Sequence, residues 1–148
     1  RKMLERYCNL MHYEAIPFFA VVGLGMEIYH TIVMMALGET FVVICLDTVV
    51  NQKEDAMLRR KFSQSGKEII EITLNQMMNF AGNMLQLHND DDDTFLIMSE
   101  TAYSSLTEAQ IARIENHTNI LTSPIPTIET YGGGSVRCMI AEIFLPRK

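Results

Sequence analysis

The same order of patterns recurs along this chain, and that recurrence limits the fold more than any single motif does. Thr31 to Leu37 and Phe41 to Leu46 read as two strands of a hairpin around Gly38-Glu-Thr. Gln52 to Gln64 has helical spacing through Ala56, Met57, Arg60 and Lys61 and stops at Ser65-Gly66, and Glu68 to Leu74 alternates apolar residues as a strand does. After the Met-rich segment Asn75 to Phe80 the order begins again. Asn83 to Leu87 and Phe95 to Met98 form a hairpin around four aspartates, Thr107 caps a helix that runs to about His117, and Ile120 to Pro126 is extended. Ahead of these units, residues 1–12 read as the end of a helix and Ala15 to Val22 as a buried strand; behind them, Val136 to Phe144 reads as a last strand. No Ser/Gly-rich linker divides the chain, so the expectation is one α+β domain with repeats roughly at 1–29 (partial), 30–81 and 82–148.

Writing the repeat starts above one another aligns Thr31-Ile-Val-Met-Met with Gly82-Asn-Met-Leu-Gln and Arg137-Cys-Met-Ile-Ala. Ile32, Asn83 and Cys138 then hold one equivalent position. His30 lies two residues before Ile32, on the same face if this stretch is a strand. Repeats set around a pseudo-symmetry axis would bring His30 and Cys138 together although they are far apart in sequence. Cys138 itself stands at the mouth of the turn Tyr131-Gly-Gly-Gly-Ser-Val-Arg. Three glycines allow positive φ and a close approach of backbone to ligand, so this thiol is presented where a nucleophile belongs. The competing role is that of a small buried hydrophobe, the usual fate of a free cysteine.

The segment Ile125-Pro-Thr-Ile-Glu-Thr-Tyr-Gly-Gly-Gly-Ser-Val-Arg-Cys-Met-Ile-Ala-Glu142 resembles the C-terminal signature of the guanidino-group-modifying enzymes, the amidinotransferase and arginine deiminase superfamily of the pentein fold. Ile28-Tyr-His-Thr-Ile-Val-Met-Met35 with Gly38-Glu-Thr-Phe-Val-Val-Ile-Cys-Leu-Asp47, and Asn79-Phe-Ala-Gly-Asn-Met-Leu-Gln-Leu87, are similar to two further motifs of the same superfamily, in the same order. The likeness is strongest to its bacterial branch of citrulline-utilisation hydrolases or amidinotransferases. It implies a pentein-type α/β propeller of ββαβ repeats, of which this chain would hold about two and a half of five. The chain also opens with Arg1 inside a helical pattern, so it reads as the C-terminal portion of one pentein domain.

The resemblance also implies a chemistry. A guanidinium or ureido carbon is a poor electrophile, and a free thiol is only a few per cent ionised at neutral pH. In enzymes like these, Cys138 would attack to form a covalent amidino- or carbamoyl-type intermediate, and His30 would protonate the leaving nitrogen and then activate water. Asn83 would either bond substrate or brace the turn at Gly133 and Gly134. Glu129 would either bind a positively charged substrate end or hold the turn. The carboxylates that grip a guanidinium in this superfamily come largely from N-terminal repeats, and no position here carries that role over. Two departures stand inside the matched region: Ile32 occupies a place that is usually polar, typically Asn, in similar sequences, and Ala36 one often taken by Cys; an Ile beside His30 removes a possible hydrogen-bond partner.

Composition sets the exclusions. A net charge of −6 supplies no basic patch for phosphate backbones, so no nucleic acid is expected. No apolar run reaches the roughly 18 residues of a membrane span. Three cysteines without a signal peptide point to reduced thiols and a cytoplasmic location, and no Cys-x-x-Cys pair supports redox chemistry. Asp90 to Asp93 lacks the alternate spacing of a calcium loop and reads as a solvated hairpin tip, while the 11 methionines read as core filler, His12, His88 and His117 as surface residues, and no metal or organic cofactor is expected. The expected partner is a small guanidino or ureido molecule. An incomplete propeller would also expose strand edges, so the chain would form a homo-oligomer or pair with a missing N-terminal half. The alternative function is a catalytically inactive half-propeller acting as an assembly or ligand-binding module.

Overall fold

Phe41-Val-Val-Ile44 is apolar at every position, and such a strand needs cover on both faces. In the computed structural model, which describes residues 2–142, all four residues are fully buried. The elements run α1 (Lys2–Met11), β1 (Val21–Val22), β2 (Met26–Glu27), α2 (Thr31–Met34), β3 (Met35–Leu37), β4 (Phe41–Ile44), a 3-10 turn at Leu46–Thr48, α3 (Gln52–Gln64), β5 (Glu68–Glu71), α4 (Leu74–Met78), β6 (Leu85–His88), β7 (Thr94–Ser99), α5 (Glu100–Ser105), α6 (Glu108–Glu115), β8 (Asn119–Ser123), α7 (Pro126–Gly132) and α8 (Val136–Met139).

Two three-stranded sheets share one plan. β3 and β4 pair antiparallel, with Ala36 opposite Val43, and β5 joins β4 in parallel, with Ile70 opposite Val43. β6 and β7 pair antiparallel and β8 joins β7 in parallel, with Ile97 opposite both Leu85 and Leu121. Each parallel return needs a crossover, which α3 supplies in the first unit and α5 with α6 in the second. β1 and β2 form a separate small hairpin. β3 lies against β6, and one core of Met34, Phe41, Ile70, Met84, Leu96, Met98 and Ile114 runs through both units.

Polar ties lock the units together. Thr73 and Thr107 head two capping boxes whose glutamines, Gln76 and Gln110, bond each other through both amides at 2.7 and 3.1 Å. Glu68 on β5 receives Arg113 of α6 and the ring of His117, which also bonds Thr40 and stacks on Phe41. His117 is therefore a wedge between the units and not a surface residue.

Other expectations need correcting. Ala15 to Val22 is not a buried strand: only Val21 and Val22 pair, because Pro17 lacks a donor and the chain turns back at once through Gly23 and Gly25, both with positive φ. The first four residues of the Thr31 to Leu37 stretch are a helical turn, and the strand starts at Met35. Val136 to Met139 is likewise a helical turn, so Cys138 does not sit on a strand; Ile143 to Phe144 lie outside the described residues. No helix of the described residues is long and apolar enough to cross a membrane.

Candidate active site at the meeting of three repeat junctions

Three segments, at α2, after α4 and after α7, are each shaped by a break in regular structure. Before α2, Val33 N–H closes a turn on His30 O at 3.0 Å. After α4, Phe80 takes a left-handed φ of 66° and delivers Ala81-Gly82-Asn83. After α7, Gly133 does the same at φ 67°, as a helix C-terminus favours, and Cys138 N–H closes α8 on Ser135 O at 3.0 Å.

The three junctions converge on Asn83, which is 4% exposed. Its Nδ2 donates to Ile32 O at 3.1 Å and to Cys138 Sγ at 3.2 Å, and its Oδ1 accepts Arg137 N–H at 3.1 Å. Ile32, Asn83 and Cys138, equivalent by repeat alignment, thus meet, although they sit in turns and not on strands. A buried amide must satisfy its donors, and here both N–H groups are used.

Two glycines make this approach feasible. A Cβ on Gly82 would lie 2.4 Å from Val33 O, so the Asn83 loop reaches the α2 backbone only because that carbon is missing. A Cβ on Gly134 would lie 2.9 Å from Cys138 Sγ. Gly82 was not singled out from sequence, although a glycine directly before the junction asparagine was the available sign.

Glu129 holds the turn from behind. It is 9% exposed, and its oxygens accept from Ser135 Oγ and Thr101 Oγ1, both at 2.7 Å. Burial pushes its carboxyl up, but hydrogen bonds from Thr101, Ser135 and Ser99 outweigh that and hold it below the ordinary glutamate range. Ser135 is fully buried and stands at the N-terminus of α8. Glu129 does not line the cleft that Cys138 faces.

That cleft, about 200 Å³, is walled by Val33, Met77, Met78, Phe80, Asn83, Gly133, Gly134 and Cys138. Cys138 is exposed to it, whereas Cys8 and Cys45 are buried, and burial followed by the nearby Asp47 pushes the Cys45 thiol up to about 11. Met77 is packed inside while Met78 is exposed, so methionine serves both core and wall. No acidic or basic side chain among the described residues lines the cleft. His30 is exposed at the start of α2, its ring 4.4 Å from that of Tyr29, and among the described residues its ring has no hydrogen-bond partner. It does not line the cleft, but its turn carries both the Ile32 carbonyl and the Val33 wall. Among the described residues no three His, Cys, Asp or Glu side chains come together as metal ligands.

The fold is similar to that of apo ArgZ, an arginine dihydrolase from the ornithine-ammonia cycle in cyanobacteria, with a TM-score of 0.69 and 12% sequence identity. The likeness, one of fold, covers 99% of this chain and 22% of that one. No curated protein matches the sequence. The family model for N,N-dimethylarginine dimethylhydrolase, eukaryotic, matches residues 1–145. With that match over nearly its whole length, the chain belongs to the eukaryotic N,N-dimethylarginine dimethylhydrolase family, and so to the guanidino-group-modifying superfamily.

Proposed function

We propose that this chain carries the nucleophile of a cysteine-dependent hydrolase acting on the guanidino or ureido carbon of arginine, citrulline or a methylated arginine. The carrying observation is the Asn83 junction, which seats the exposed Cys138 thiol at the cleft. The Cys138 sulfur attacks the guanidino carbon and a C–S bond forms. The proton that Cys138 gives up passes to His30, whose turn carries the Val33 wall and whose ring must swing in from outside the cleft, and His30 delivers it to the leaving amine as the C–N bond breaks. His30 then takes a proton from water, the water oxygen adds to the same carbon, the C–S bond breaks, and a ureido product leaves. The apolar wall of Val33, Met77, Met78 and Phe80 supports N-methylated guanidino groups such as the N,N-dimethylarginine of the family's name. Carboxylates to hold the cation would come from other repeats of a propeller of which this chain forms a part. An amine in place of water would give the amidinotransferase reaction of the bacterial citrulline-utilisation branch.

A second proposal, an inactive half-propeller for assembly, is supported by the apolar and uncharged lining of the cleft among the described residues and by exposed Leu10, Leu24 and Tyr29. The deciding assay is release of amine and citrulline from N,N-dimethylarginine and arginine, and of ammonia and ornithine from citrulline, beside Cys138→Ala and His30→Ala, with intact mass of trapped adduct. Hydrolysis predicts an adduct lost with Cys138→Ala, and turnover about 10²–10⁴-fold lower in His30→Ala. A folded sample with neither turnover nor adduct leaves the assembly role.

A further inference from the structure

The amide of Asn83 can sit only one way round. Oδ1 receives Arg137 N–H, and Nδ2 donates to Ile32 O, so a flipped amide would set donor against donor and acceptor against acceptor. Both partners are main chain, from the helical turns α2 and α8, and neither can swing aside. Among the described residues the second N–H of Nδ2 has one acceptor, Cys138 Sγ at 3.2 Å. Asn83 is 4% exposed, so water has little access to satisfy that hydrogen instead. Among the described residues the other cleft walls are Val33, Met77, Met78, Phe80 and two glycines, none of which offers a side-chain donor to a charged sulfur.

We infer that Asn83 is a catalytic residue, a fixed donor to the reacting sulfur, a role that rests on Cys138 being the nucleophile proposed above. A hydrogen bond to an ionised acceptor is roughly twice as strong as one to a neutral acceptor, so this contact steadies the sulfur whenever it carries charge. The bond weakens as the sulfur attacks carbon and gives up its charge. It strengthens again as the sulfur departs when water breaks the intermediate. Asn83 therefore acts on sulfur as a leaving group as well as on its readiness to attack, and Gly134 keeps the Sγ position free for both.

The test is alkylation of the 148-residue chain by iodoacetamide, read at Cys138 by mass spectrometry from about pH 5 to 9. Asn83→Leu removes the donor at nearly constant volume; Asn83→Asp keeps the acceptor for Arg137 N–H and loses both donors. The expected result is alkylation about tenfold slower at neutral pH in Asn83→Leu and slower still in Asn83→Asp. A folded variant alkylated at the unaltered rate overturns the inference. If the variants fail to fold, the unmodified chain still decides: of the two Asn83 side-chain ¹⁵N–H signals, the one donated to sulfur should move in Cys138→Ala while the one donated to Ile32 O holds. Two signals that both stay fixed overturn it. Alkylation needs no substrate, so absent turnover with slowed alkylation in the variants removes the proposed reaction alone, and turnover with unchanged alkylation removes the Asn83 role alone.

Discussion

Removing the Glu129 carboxylate should loosen the cysteine turn without touching the cleft. In Glu129→Ala, the hydroxyls of Ser135 and Thr101 each lose a 2.7 Å bond to a carboxylate, and the fully buried Ser135 hydroxyl has no other acceptor among the described residues. Hydrogen bonds to charged groups contribute about 1.5–3 kcal/mol each, and an unmade buried donor carries a penalty of similar size. The carboxylate's own burial opposes these gains, so the net loss should be about 2–4 kcal/mol. For a chain of 148 residues that corresponds to a fall in Tm of roughly 5–12 °C. The assay is thermal unfolding by circular dichroism at neutral and acid pH, beside Glu129→Gln, which keeps one acceptor and should recover part of the loss.

The pH dependence follows from the direction in which Glu129 is perturbed. Its folded value lies below the unfolded glutamate value of about 4.3, so its contribution is complete above that pH and is lost as pH falls through the folded value. Wild type gives up this stabilisation on acidification and Glu129→Ala has none to give up. The gap in Tm between them should therefore be widest near neutrality and narrow below about pH 4. A gap under about 1 °C at pH 7, or one of equal size at both pH values, would refute an ionised carboxylate holding the turn.

Gly82→Ala should lower urea-unfolding stability by about 1–3 kcal/mol and slow alkylation of Cys138, because the new Cβ meets backbone at Val33 that no rotamer change can move; unchanged values for both would exclude the close approach. Glu68→Gln should cost about 1 kcal/mol or less, since Glu68 is 38% exposed and solvent screens its partners. Its carboxyl is held low by His117 and then Arg113, so this difference should be present at neutral pH and vanish as pH falls through the folded value, which paired melts at two pH values would show.

Strong periodicity carried over best from sequence to structure. Gln52–Gln64 and the Thr107 cap were visible because helical spacing and side-chain capping are local properties. α5 was not, because Ser99 ends β7 and caps the helix at once, leaving no turn residues between them to mark a boundary. α7 had a sign, Pro126 at its first turn, but Pro-Ile-Pro is equally an extended motif. For α8 no local sign existed. An apolar run of four to eight residues does not distinguish strand from helix, and the bond from Arg137 N–H to Asn83 comes from a residue 54 positions away. His117 looked like a helix-end surface residue because Thr40, Phe41 and Glu68, which enclose it, are far off in sequence.

Alignment of the repeats found the three positions that meet, yet it misjudged what one of them contributes. Ile32, standing where Asn is usual in similar sequences, suggested a lost hydrogen-bond partner at the site. What Asn83 takes from that position is the main-chain carbonyl of Ile32, which every residue type supplies. The Ile32 side chain is half-buried and lines the neighbouring hollow with Arg137 and Glu142, away from the Cys138 cleft. The requirement at this junction is for a turn that aims a carbonyl inward and for a glycine opposite it at Gly82, and α2 meets it with Ile32 in place. The substitution therefore leaves the Asn83 anchor of Cys138 intact, and its effect falls on the hollow beside the cleft.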